Sequence, residues 1–154
     1  MAAANRSAAR LNAVQALYQM DVAGKGVTEV FAEFESHWIG QEIEGVTYTH
    51  AEVAFFKDIV AGVLADQQGI DRHVDAALTE GWPLRRVETV VRAILRAGTY
   101  ELRKRKDVPV RAIISEYVDI AAAFYDRDES GLINAVLDSL ARDFRAEEFE
   151  PKAG

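Results

Sequence analysis

Cysteine is absent from this chain of 154 residues. That excludes a disulfide framework, a thiolate nucleophile and a cysteine metal site, and it makes the cytosol the expected compartment. Proline is scarce, with 3 residues, so few positions stop a helix from continuing. The 3 histidines, His37, His50 and His73, have no partner at the spacing a helical zinc site needs, and they read as surface or capping residues. No apolar run approaches the roughly 20 residues that cross a bilayer. Met1 to Asn5 lacks the basic and apolar stretches of a secretory signal. The glycines fall at turns and not in a phosphate-binding loop, and Ser7, Ser36, Ser115, Ser130 and Ser139 stand in no nucleophile motif. Asp126, Asp128 and Glu129 lack the fixed alternate ligands of a calcium loop and read as a solvated turn. No catalytic residue, metal ligand or cofactor site is left to name, so a non-enzymatic protein is expected.

Positive charge is also in deficit. Lys and Arg total 18 against 25 Asp and Glu, a formal net charge of −7. The surface as a whole therefore repels a polyanion. The distribution is less uniform than the sum. Before Asp21, the first acid, the only charged side chains are Arg6 and Arg10. Further basic groups gather at Arg85, Arg86, Arg92 and Arg96, and again from Arg103 to Lys106. Any contact with nucleic acid must be local, through one face.

What the chain has in abundance is helical periodicity. Apolar residues recur at threes and fours and never alternate cleanly. A chain of this length buries roughly two-thirds of its unfolded surface without a staple. A first helix is expected from about Arg6 to Val22, with Ala9, Ala13, Ala16, Leu17 and Met20 inward and an end near Gly24 and Gly26. A second carries Val27, Val30, Phe31, Phe34 and Trp38, and Gly40 to Thr49 reads as a loop. Thr49 with Glu52 forms a capping-box pattern for a third helix, whose stripe is Val53, Phe56, Val60 and Val63. Gly69 is expected to break it, and Asp71 to open a short fourth helix.

Gly81-Trp82-Pro83 is the clearest boundary, because glycine ends a helix cheaply and proline cannot continue one. Beyond it a fifth helix is expected over about Arg85 to Arg105. Gly98 on its apolar face costs about 1 kcal/mol against alanine, and close approach of a neighbouring helix accounts for it. The run Arg103 to Lys106 complements the negative helix end and reads as a solvated terminus. Pro109 suits the first turn of a sixth helix, Asp126 to Gly131 is a polar turn, and a seventh helix runs from Leu132 to Phe144. The predicted fold is all-α, about seven helices in two packed bundles. The bundles cover residues 1–80 and 84–146, with a frayed polar tail over 147–154.

Four blocks stand in order along this pattern: Ala13 to Gln19 (AVQALYQ), Arg92 to Arg96 (RAILR) with Tyr100 to Leu102 (YEL), Asp107 to Pro109 (DVP) with Ser115 to Asp119 (SEYVD), and Asn134 to Asp138 (NAVLD). Their order and spacing resemble the NusB family of transcription antitermination factors over nearly the whole chain. The resemblance implies a NusB-like pair of helical bundles with no cofactor. It implies binding of boxA-type single-stranded nascent RNA together with NusE, a small-subunit ribosomal protein, in a complex that keeps RNA polymerase transcribing through ribosomal RNA operons. Some relatives form homodimers that cover the RNA face, and here the sequence leaves monomer and homodimer both open. No membrane partner is implied.

On this chain the resemblance assigns RNA contact to Arg6, Ser7, Arg10, Gln15 and Tyr18 of the first helix and to Phe124 at the end of the sixth. The chemistry suits single-stranded RNA, which is held by stacking, base-edge hydrogen bonds and arginine–phosphate pairs. Arg6 and Arg10 are four apart and share a face that can follow a phosphate backbone. Tyr18 lies about 80° further round, with Gln15 on its side. The alternatives are a half-buried core Tyr18 beside a merely solvated Gln15, and a core Phe124 beside an exposed Tyr125. Ser7 and Ala8 stand where the family often carries a dense arginine cluster. Fewer cations release fewer counterions, so weak RNA binding by the chain alone is expected, with NusE adding affinity. Ser115 replaces a usual asparagine, and Leu132, Ile133 and Ala135 alter the setting of Asn134. Partner contact is expected at the exposed charges Glu88, Arg92, Asp126 and Glu129. The rival expectation is an adaptor that binds NusE with little RNA binding of its own.

Overall fold

A computed structural model describes residues 2–38, 42–43, 46–47, 50–78, 87–125 and 127–149, with side chains within 6–34, 52–78, 87–125 and 128–149. Among the described residues there are seven α-helices: α1 (Ala2–Ala23), α2 (Val27–Trp38), α3 (His50–Ala65), α4 (Gln67–Ala77), α5 (Thr89–Lys104), α6 (Val110–Phe124) and α7 (Arg127–Phe144). The all-α class follows the periodicity. The one extended pairing described is β1 (Glu42–Ile43) with β2 (Val46–Thr47), antiparallel, Glu42 opposite Thr47 and Ile43 opposite Val46. The expected loop over Gly40–Thr49 therefore holds a minimal hairpin.

Small residues decide how closely the helices pack. Ala9, Ala13 and Ala16 are fully buried, which lets α1 lie against both α3 and α5. α5 is the central element and touches α1, α3, α4, α6 and α7. One apolar cluster runs from Leu17, Val30 and Phe34 through Ile59, Val63, Ile94 and Leu95 to Ile113, Leu137 and Leu140. Each such side chain contributes about 1.5–3 kcal/mol by leaving water. Gly98 is the close approach read from the sequence, since a Cβ there would stand 3.0 Å from a Leu137 methyl. Gly62 makes a tighter one, where a Cβ would overlap the Tyr100 ring at 2.0 Å.

Several boundaries move. Gly69 does not break a helix: α3 ends at Ala65, and Gly69 lies buried within α4. A Cβ at this position would meet the Asp66 carboxylate at 2.4 Å. The expected turn through Gly131 is instead the start of α7, with Asp128 and Glu129 in a first turn where the helix dipole favours acids. Pro109 is the N-cap of α6 and not its first helical residue, with φ −62° and ψ 147°. The fraying expected from Glu147 does not reach Phe149, because Ala146–Glu148 form one 3-10 turn and Phe149 packs on the core. Just before that turn, Arg145 is fully buried and donates to the carbonyls of Glu101 (3.0 Å), Leu102 (2.8 Å), Arg105 (2.5 Å) and Val108 (2.5 Å). Thr49, Gly81, Trp82, Pro83, Arg85, Arg86, Asp126 and residues 150–154 lie outside the described residues.

Candidate nucleic-acid interface

The face of α1 that carries Arg6, Ser7 and Arg10 turns toward α5 and α6. Arg10 is 3% exposed. Its Nε and Nη2 donate to both oxygens of Glu101 at 2.8 and 3.0 Å, and its Nη1 is 3.7 Å from Glu116. The Ser7 hydroxyl donates to Glu116 at 2.7 Å. Glu101 is fully buried and also accepts the Tyr117 hydroxyl. Burial, then the Glu101 charge and hydrogen bond, push Tyr117 well above its ordinary pKa. Two blocks of the sequence pattern thus meet inside the protein, Tyr-Glu-Leu supplying Glu101 and Ser-Glu-Tyr supplying Glu116 and Tyr117, while Arg10 of α1 supplies the guanidinium.

Beside this cluster the buried Phe55 ring collects three guanidiniums, those of Arg6 at 4.8 Å, Arg10 at 5.1 Å and Arg105 at 5.0 Å from its centroid. Cations over an aromatic face are attracted by its quadrupole. Arg105 points Nε and Nη2 at the two Asp107 oxygens (3.1 and 3.0 Å) and Nη1 at Asp58 (3.3 Å). Arg6 Nη2 reaches the same Asp107 at 4.0 Å. Burial alone would raise the Asp107 pKa, but the hydrogen bond and charge of Arg105 outweigh it and hold it below the ordinary value. Asp58 also accepts the Tyr100 hydroxyl at 2.8 Å. Burial and that bond push Tyr100 up to about 12.

The exposed large apolar side chains among the described residues are Tyr18 (37%), Val22 (58%) and Phe124 (50%). Tyr18 and Val22 are one turn apart on α1. Tyr125, the residue after Phe124, is half-buried, and its hydroxyl is bonded to Glu88 at the N-cap of α5. Burial first, then Glu88, raise the Tyr125 pKa, with smaller contributions from Glu129 and Tyr18. Tyr18 therefore lies near enough to Tyr125 to act on its charge, and the other expected stacking residue, Phe124, is the neighbour of Tyr125 in sequence.

The other site residues separate. Gln15 is half-buried on α1, one turn from Tyr18. Arg10 has the expected spacing from Arg6, but its guanidinium is held inside the protein by Glu101 and Glu116. Glu88 is exposed, as expected for a partner contact. Arg92 is not an exposed charge: its side chain is 18% exposed and donates to Asp21 at 3.0 Å. Glu129 is half-buried, with Oε2 buried and unpartnered. Asp126 lies outside the described residues. Phe55 was not singled out by sequence, Asp107 stood only in the Asp-Val-Pro block, and Arg105 was read as part of a solvated helix end, whereas its side chain is paired with Asp58 and Asp107.

The described residues form a helical bundle in which several arginines are held by carboxylates of other helices while Tyr18 and Phe124 stand exposed. Among the described residues no cluster of His, Asp and Glu could hold a metal, and no helix is long and apolar enough to cross a membrane. The chain belongs to the NusB family, a non-enzymatic family of transcription antitermination factors, whose profile matches residues 7–142. It is 62% identical over 144 residues to the transcription antitermination protein NusB of Bradyrhizobium diazoefficiens, covering 94% of this chain and 87% of that one. A Bradyrhizobium relative of strain BTAi1 is 63% identical, over 96% and 87% of the two chains. Among solved structures, T. maritima NusB superposes with a TM-score of 0.79 at 26% identity, covering 95% and 97%. NusB in a crystal structure of antitermination factors NusB and NusE with double-stranded RNA shares the fold, with a TM-score of 0.77 at 23% identity and coverage of 91% and 98%.

Proposed function

We propose that this cytoplasmic protein binds boxA-type single-stranded RNA together with NusE, within an RNA polymerase antitermination complex on ribosomal RNA operons. The observation that carries the reading is the pair of exposed rings, Tyr18 on α1 and Phe124 at the end of α6, with Tyr18 close to the residue that follows Phe124. Burying two large aromatics would stabilise a monomer, so leaving them in water points to a partner that covers them. Base stacking needs open π-faces. The structural neighbour seen with NusE and double-stranded RNA supports the choice of partners, while the exposed rings favour unpaired bases, whose faces are free. In a gel-shift titration with NusE present, a boxA-type RNA is expected to bind far better than a scrambled one. Tyr18→Ala and Phe124→Ala should each weaken that binding by about 1–3 kcal/mol. Equal binding of both RNAs would overturn the reading.

The buried Arg10 favours a second reading, an adaptor that holds NusE and contributes little RNA affinity itself. Under it NusE co-purifies and neither aromatic substitution changes the RNA signal.

A further inference from the structure

We propose that Arg6 and Arg105 form a seat for a backbone phosphate of the RNA, and that Asp107 occupies this seat in the free protein. The inference rests on the RNA-binding reading above. Arg105 presents its Nε–Nη2 edge to Asp107, with two near-parallel hydrogen bonds of 3.1 and 3.0 Å. That fork is the edge by which arginine takes a carboxylate or a phosphate bidentately. The opposite side of the guanidinium is anchored on Asp58 at 3.3 Å, and Asp58 is itself fixed by Tyr100. Arg105 therefore keeps its orientation when Asp107 leaves. Phe55 backs both Arg6 and Arg105, which keeps the two cations side by side.

Access and charge point the same way. The Asp107 side chain is 53% exposed and Arg6 40% exposed, so the carboxylate can swing into water and a phosphate can enter from solvent. Arg10, the third cation on the ring, is unavailable because Glu101 and Glu116 hold it. The charges facing the seat are Arg6 and Arg105 against Asp58, Asp107 and the more distant Glu116, so it carries no excess positive charge while Asp107 is in place. Arg6 lies on α1 about 18 Å before Tyr18 at 1.5 Å per residue, a span of several nucleotides along one strand.

The test is fluorescence anisotropy with labelled boxA-type and scrambled RNA oligonucleotides, with and without NusE, across a salt series. Asp107→Asn should tighten binding several-fold for both RNAs alike, because a phosphate contact carries no base information. The slope of log K against log salt should steepen by about 0.7 for each phosphate gained. Arg105→Gln added to Asp107→Asn should abolish the gain. Thermal melting confirms that each variant is folded, and Asp107→Ser repeats the experiment if the asparagine variant is not. Unchanged or weaker binding by a folded Asp107 variant overturns the proposal, as does a gain that survives loss of Arg105. If wild type binds both RNAs equally, the boxA reading fails, whereas the Asp107 and Arg105 results still decide the seat.

Discussion

Arg10 illustrates how far one side chain's role depends on a residue distant in sequence. Its fork closes on Glu101, and both groups are essentially out of water. Removing one member of such a pair leaves the other charge buried and uncompensated, which costs about 3–5 kcal/mol. Arg10→Ala should therefore lower the midpoint of urea unfolding sharply, whatever it does to RNA. The triple substitution Arg10→Met, Glu101→Leu and Tyr117→Phe removes the buried members of the cluster and leaves the half-buried Glu116 with Ser7. It should recover most of that loss, since apolar replacement of a buried pair is often neutral or better. A mild effect of Arg10→Ala would mean that Glu101 finds water or another partner.

At the scale of the element, Gly62 of α3 is the sharper probe. A side chain there must push the Tyr100 ring aside, and with it the Tyr100–Asp58 hydrogen bond. Gly62→Ala should destabilise by about 1–3 kcal/mol, the scale of overpacking, even though alanine is the better helix former. A rise in melting temperature would refute this packing account. Much of the helical layout is legible in sequence because apolar spacing and small residues are local signals: α1, α2 and the closeness at Gly98 all follow from them. Gly69 misled because glycine marks both helix ends and tight contacts, and only the neighbouring Asp66 tells which applies. The polar stretch before α7 misled because acids that solvate a turn also suit a helix N-terminus. The exposure of Tyr18 and Phe124 agrees with what the family resemblance implied, whereas spacing alone left both open to core burial. The fate of Arg10 was not legible, since helical spacing assigns a face but not what packs against it.

For the whole molecule, α5 serves both sides of the boundary at Gly81 to Pro83, and one apolar cluster crosses it. Unfolding should therefore be a single transition, with far-UV circular dichroism and tyrosine absorbance coincident; separated transitions would show that the two packed halves unfold independently. Alkali offers a route to it. Tyr100 is raised to about 12 from an ordinary 10.0, and Tyr117 moves the same way. Both hold their protons more tightly folded than unfolded, so the stability they contribute is complete below pH 10 and fades as pH rises through 12. Tyr100→Phe should flatten part of that fall, and a profile unchanged by it would assign the loss elsewhere. Arg145 bears on a different clock. The four carbonyls it caps, between Glu101 and Val108, wait 37 to 44 residues of synthesis for their donor. A ribosome adding about 5–20 residues per second thus takes several seconds to supply the donor, so the α5–α6 turn cannot be capped until α7 has been made.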